Sequence, residues 1–208
     1  GSLAQADKLI ADDKERMDKL VADGKITGWN YLAHHTGGAW QRLFVHRADS
    51  LDALLDGSDA IQGGADGEDE GDDADDGPVF GEICNRHDDY IWQTTDGNQS
   101  GPSAVGFSVY HVCDVARESR ADEIFAEHFA PVYNRLVEEG KLSGWGWMSH
   151  VVGGKYRKLQ TFGGADHKSL LAARAEAIAA IYGEDNAAGQ EFTEICGPHS
   201  DYMWNLVH

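Results

Sequence analysis

The chain has 208 residues, 41% hydrophobic and 25% charged, with a formal net charge of −19. These values fit a globular chain long enough for one large or two small domains. They leave no basic face for nucleic acid, disfavour an anionic membrane surface, and include no apolar run near the ~20 residues that span a bilayer.

The negative excess is local, because nine acids and no base lie in 59–76. Residues 5–23 predict a helix, with Leu9, Ile10, Met17, Leu20 and Val21 on one side and Gly24 as its stop. Ahead of it, Leu3-Ala4-Gln5-Ala6 has the small-x-small form of a signal-peptidase site. Export is therefore an expectation beside a cytoplasmic location. Ile26–Thr36 alternates as a strand, Gly37-Gly38 turns, and Ala39–His46 returns as a hairpin. Ala48–Ile61 predicts a second helix capped by Asp49 or Ser50. Gln62–Gly77 is Gly/Asp/Glu-rich and cannot bury enough surface to offset its ordering entropy, so it reads as a mobile insertion. Asp66–Asp76 within it only loosely matches a calcium loop, with Gly77 where the twelfth-position Glu belongs. Pro78–Cys84 predicts a short helix or turn, Tyr90–Thr95 a strand, and 96–102 a linker.

From there the plan repeats. Val105–Val115 is a strand, and Ala121–Glu139 a helix that Pro131 should kink or rob of a backbone bond. Leu142–Val152 and Lys155–Phe162 form a hairpin, and His167–Tyr182 is a helix. Gly183–Gly189 stands where the first copy has its insertion, Glu191–Cys196 is a turn and Tyr202–Val207 the last strand.

The duplication is explicit. Gly24–Leu43 (GKITGWNYLAHHTGGAWQRL) aligns with Gly140–Leu159 (GKLSGWGWMSHVVGGKYRKL), pairing Trp29 with Trp145 and His34 with His150, 116 residues apart. Glu82–Trp92 aligns with Glu194–Trp204 at a spacing of 112, pairing Cys84, His87 and Asp89 with Cys196, His199 and Asp201. Two ordered echoes mean two copies of one unit. The repeats are assigned to 1–98, with the acidic insertion 62–77, and to 103–208.

The second copy reads β-α-β-β-α-β, the ferredoxin-like order. The first lacks the first strand, whose equivalent of Val105–Val115 would precede residue 1. An unfilled slot leaves a sheet edge open.

That order, the Gly-Trp strand running into a Gly-Gly hairpin, and the His-x-Asp-Tyr-x-Trp final strand resemble the dimeric α/β-barrel superfamily in its tandem two-copy form. The resemblance implies an α+β fold in which two ferredoxin-like repeats pack sheet to sheet as a pseudo-dimeric α/β barrel. It identifies no reaction, since that group spans cofactor-free monooxygenases, isomerases, haem enzymes and uncharacterised proteins.

His34 and His150, each just before Gly-Gly, are candidates for an acid/base role or for hydrogen-bonded strand ends. Trp29, Trp145, Tyr90 and Tyr202 are candidate ligand-binding aromatics or barrel core. His111 joins them, facing barrel or helices, because alternation shows only that it shares a face with Val109 and Cys113. Cys84, His87 and Asp89, with Cys196, His199 and Asp201, are metal-ligand types at half-site spacing, or a buried Cys with capping side chains. Three cysteines make no disulfide framework, and a Cys84–Cys196 bridge is conceivable.

The function expected is binding of an apolar or aromatic compound, with His-mediated acid/base chemistry and no cofactor beyond a possible divalent metal. The competing expectations are a non-enzymatic module completed by strand exchange, giving a homo-oligomer through the open edge of the first repeat, and a metal-binding protein.

Overall fold

A computed structural model describes residues 2–63, 83–84, 86–183 and 186–208. The chain is α+β, as expected. Its strands follow the order β2-β1-β7-β4-β6-β5-β3, where β1 is Gly28–Gly37, β2 Arg42–Arg47, β3 Ile91–Gln99, β4 Val105–His111, β5 Gly144–Val152, β6 Lys158–Gly164 and β7 His199–Leu206. The residues cluster into two compact units. The smaller holds Gly1–Leu32, Gln41–His87 and Val207–His208, the larger Ala33–Trp40 and Asp88–Leu206. Among the described residues no helix is long and apolar enough to cross a membrane.

In the smaller unit the first predicted helix is two, α1 (Ser2–Asp12) and α2 (Lys14–Ala22), broken at Asp13. Helix α3 (Leu51–Gly63) starts at Ser50, whose hydroxyl accepts from Ala53 N. Met17, Ile26, Trp29 and Tyr31 form the core. Trp29 Nε1 donates to Asp18 Oδ1 at 3.0 Å. Tyr31 donates to Asp7, which also takes two hydrogen bonds from Arg42 at 2.6 and 2.7 Å. Of the insertion expected over 62–77, Gln62 and Gly63 end α3; 64–77, including the calcium-like run Asp66–Asp76, lies outside the described residues. So does most of the helix or turn expected over 78–84.

The larger unit holds more elements. Strand β4 leads through a short turn at Val115–Arg117, capped by Asp114, into α4 (Glu118–Ile124), a π-turn (Phe125–Phe129) and α5 (Ala130–Glu138). After the β5–β6 hairpin come α6 (His167–Tyr182), capped by Asp166, α7 (Ala187–Cys196), capped by Asn186, and β7. The order β7-β4-β6-β5 within it is the ferredoxin-like order, and β4 pairs antiparallel with both β6 and β7.

Some hydrogen bonds of the two units match at the spacing expected for a repeat. Trp145 Nε1 donates to Asn134 Oδ1 at 3.0 Å, and Asn134 stands 116 residues after Asp18, as Trp145 does after Trp29. Asp122 accepts from Trp147 Nε1 and from Lys158 Nζ, as Asp7 accepts from Tyr31 and Arg42. Asp7 and Asp122, however, are 115 apart. The second copy therefore has one extra residue in this helix. The π-turn absorbs it, since Ala130 N bonds back five residues to Phe125 O. Pro131, with no N–H to continue the ordinary ladder, follows directly, so the expected kink takes this form.

Three boundaries differ from expectation. Strand β3 runs on through Gln99, because 96–99 pair with β5 across two register shifts; Gly97, expected in the linker, allows the close approach to Trp145 O. Strand β4 stops at His111, where the chain turns towards the Asp114 cap. The residues expected as loop and turn before β7 form the ten-residue helix α7.

The pairing of β3 with β5 carries the last strand of the first repeat to the second strand of the second. Tyr202 of β7 lies against Gly37 and Gly38 as Tyr90, just before β3, lies against Gly153 and Gly154. A Cβ on Gly38 would meet the Tyr202 ring at 2.2 Å, and one on Gly154 would meet Tyr90 Oη at 2.5 Å. This crossing requires both Gly-Gly pairs.

Candidate functional site

The sheet of the larger unit has two unlike faces. Against the helices lie Phe107, Val109, Trp145, Trp147, Phe162 and Met203, which pack with Ile124, Phe125, Leu136, Leu170 and Phe192. The alternate residues of the same strands form an aromatic layer on the other face. His34 sits edge-on to Tyr202 and Trp204 at 6.5 and 6.2 Å; His150 sits edge-on to Tyr90 and Trp92 at 6.3 and 6.0 Å. The aromatic pairs are themselves stacked, Tyr202 on Trp204 at 5.1 Å and Tyr90 on Trp92 at 5.3 Å. Trp40 fills the space among Tyr90, Tyr110, Tyr156 and Tyr202, stacked on Tyr202 at 4.9 Å. Arg157 has only donors, so His150 Nδ1 accepts from it at 2.7 Å and the ring's remaining proton sits on Nε2. An imidazole so held offers a donor to its surroundings.

The predicted site residues therefore divide. His34, His150, Tyr90 and Tyr202 share the aromatic face. Trp145 and His111 lie on the helix face of the larger unit, and Trp29 is in the core of the smaller.

On the helix face is a cavity of about 200 Å³, lined mainly by Val109, Phe129, Tyr133, Phe162, Ile178, Tyr182 and Phe192, with His111, Gln160, Arg174, Thr193 and His199 among its polar members. His111 is placed by β4 and by the end of α7. Its Nδ1 lies 3.1 Å from the carbonyl oxygen of Cys196, which can only accept, so Nδ1 carries the proton and Nε2 the lone pair. Nε2 is buried and has no protein partner among the described residues. His111 is only 6% exposed, and burial drives its pKa down to about 4, against a smaller upward pull from the Cys196 carbonyl. The ring is neutral at pH 7. Nearby, Gln160 Nε2 donates to Tyr133 Oη at 2.8 Å, and burial pushes the Tyr133 phenol upward, keeping it protonated. The Arg174 guanidinium lies 4.6 Å over the Phe107 ring and reaches Asp201 Oδ2 at 3.3 Å.

At the matching positions 116 residues earlier, the cavity's Gln160 has an apolar counterpart and its Arg174 an uncharged one. Phe44 stands at the position of Gln160, Ser58 at that of Arg174 and Met17 at that of Tyr133.

The cysteine expectations need correction. Cys196 is bridged to Cys113, and Cys84 is free. The two partners sit side by side because β4 and the end of α7 both lead into the same corner, where Val112 N bonds Pro198 O and Asp114 N bonds Ile195 O. A disulfide sulfur is not a thiolate ligand, so Cys196 leaves the candidate metal set. His199 Nδ1 is turned to the Gly197 carbonyl at 2.7 Å. His87 and Asp89 are exposed, and among the described residues no three His, Cys, Asp or Glu side chains converge as a metal site.

No family model and no curated protein matches the chain. Among solved structures it is similar to an anthrone oxidase-like protein, at a TM-score of 0.51 and 16% identity over 99% of this chain and 86% of that one. It also aligns with a major regulator of staphylococcal pathogenesis (TM-score 0.49, 8% identity, 93% of this chain and 94% of that one). A third is a Fusobacterium nucleatum subsp. nucleatum protein assigned provisionally to the monooxygenases (0.48, 11%, 94% and 87%). The first likeness shows a shared fold.

Proposed function

We propose that the chain binds a small, mainly apolar compound in the helix-face cavity, and that His111 accepts a hydrogen bond from it. One observation carries this reading: the buried, neutral His111, which lines the cavity and whose Nε2 has no protein hydrogen-bond partner among the described residues. An unsatisfied buried acceptor costs about 1–3 kcal/mol, and a ligand O–H or N–H would remove that cost. Apolar walls with a few convergent polar groups are the general form of small-molecule sites. The fold neighbour named anthrone oxidase-like agrees in kind, since its name also speaks of small-molecule chemistry.

The imidazole assigned the contact is His111 in place of His34 or His150. With its proton affinity near pH 4, His111 orients a donor and is too weak a base to deprotonate an ordinary alcohol. The reading is therefore of a binding site, and acid/base turnover would require an unusually acidic substrate.

Phenol and toluene test it, being nearly equal in size and differing in one O–H. Phenol should bind about tenfold more tightly by calorimetry, with amide shifts centred on His111 and Phe192. His111→Phe should erase the difference. Equal affinity of the two for the native protein would defeat the reading.

A further inference from the structure

We infer that this cavity is built for a single aromatic ring carrying a hydroxyl and a carboxylate, that is, a hydroxyaryl acid. The inference rests on the cavity being the ligand site and adds the class of ligand.

Size comes first. A protein cavity of about 150 Å³ lined by Leu, Ile and Phe holds benzene. The present cavity, at about 200 Å³, exceeds that by only a few heavy atoms. It suits one substituted ring, whereas a fused three-ring compound would need the walls to open.

The walls come next. Phe129, Tyr133, Phe162 and Phe192 line it, and Phe192 stands edge-on to the His111 ring at 5.6 Å. Such surfaces favour a flat ring through offset and edge contacts.

The polar groups then set the substituents. His111 Nε2 is an acceptor and asks for a donor, which a ring hydroxyl supplies. Arg174 asks for the opposite. Its only hydrogen bond among the described residues is to Asp201 Oδ2 at a long 3.3 Å, through Nη2 alone. Nε and Nη1 remain able to form the two-point contact that a carboxylate accepts. Asp201 is the one carboxylate at this guanidinium, so the ligand's anion belongs on the edge away from it. A purely apolar ligand would leave His111 without a donor, and a cationic one would meet Arg174.

The test uses the native protein and ligands matched in shape. Affinities of 2-, 3- and 4-hydroxybenzoate are measured by calorimetry beside phenol and the three corresponding hydroxybenzamides. One hydroxybenzoate isomer should bind at least ~10-fold more tightly than both phenol and its own amide, the amide replacing the anion by a neutral group of the same outline. The best isomer reports the spacing between His111 and Arg174. Arg174→Gln should abolish the acid-over-amide ratio and Arg174→Lys should retain part of it. If phenol binds and no hydroxybenzoate exceeds its amide, the ligand class is wrong and the cavity assignment stands. If neither phenol nor toluene binds, the cavity assignment falls and this inference falls with it.

Discussion

His111 and Cys196 are 85 residues apart, yet the Cys196 carbonyl holds His111 Nδ1 at 3.1 Å and thereby leaves the lone pair on Nε2, which has no protein partner among the described residues. The same cysteine is tied through sulfur to Cys113, two residues beyond His111. Tautomer, burial and bridge thus meet at one corner of the larger unit.

Stability should depend on pH through His111. Its folded-state pKa, about 4, lies below the ordinary 6.5 because burial disfavours the cation. Above pH 6.5 the ring is neutral in both states and the contribution is fully present. As pH falls towards 4 the unfolded chain takes up a proton that the folded one refuses, and about 3 kcal/mol is lost over that window. Below about pH 4 this loss is complete. Urea unfolding across pH 4–7 should show a steeper slope for the native protein than for His111→Gln. Parallel slopes would contradict the assignment.

Removing the bridge should be costly. It closes a loop with a sequence separation of 83, worth about 4 kcal/mol in the chain-entropy description. The Cys113→Ser/Cys196→Ser protein should show a correspondingly lower denaturant midpoint. Treatment with reductant should shift the native protein alike and leave the double variant unmoved.

The crossing of the last strands should be intolerant of side chains at its glycines. Gly37 has φ +113° and a Cβ there would lie 2.1 Å from the backbone oxygen of Asp201; Gly153 has φ +136° with Tyr90 Cδ1 at 2.4 Å. Gly37→Ala and Gly153→Ala should each cost about 3 kcal/mol or more, combining overpacking with an unfavourable backbone region. Gly101→Ala, where a Cβ would meet nothing within 4 Å, should be nearly neutral in the same unfolding assay.

Exchanging both paired histidines should spare ligand binding. His34 and His150 face the aromatic layer and not the cavity residues. The double variant His34→Gln/His150→Gln should keep its phenol affinity within about twofold, a surface-like tolerance for residues remote from a site. A tenfold loss would return the function to these two residues.

Asp122 should matter more than its counterpart Asp7. Lys158 is 2% exposed and is held by both Asp122 oxygens and by Ser149. Asp122→Ala leaves that ammonium buried with only a hydroxyl, a loss of about 3–5 kcal/mol. Asp7→Ala frees Arg42, whose side chain is 16% exposed and also reaches the Gln41 carbonyl, and should cost less. Thermal or urea unfolding of the two variants would rank them.

Much of this was legible before any coordinates. Trp29 and Trp145 stand 116 residues apart, and their acceptors Asp18 and Asn134 keep the same spacing. The site was not legible by the same route. Looking for residues present in both copies leads to His34 and His150, whereas the cavity uses His111 together with Gln160 and Arg174, whose counterparts are Phe44 and Ser58. A signal did exist: His111 ends a largely apolar strand, Val105–His111.

The sequence by itself determined the α+β class, the hairpins and the placing of glycine at Gly37-Gly38 and Gly153-Gly154. These are written in period and spacing, and they depend on neighbours a few residues away. Tertiary structure alone decided which side of the sheet the helices cover, that Cys113 meets Cys196, and that β3 joins β5. Alternation along a strand says which side chains share a face but not what that face will meet, because that is settled by packing between segments far apart in the chain.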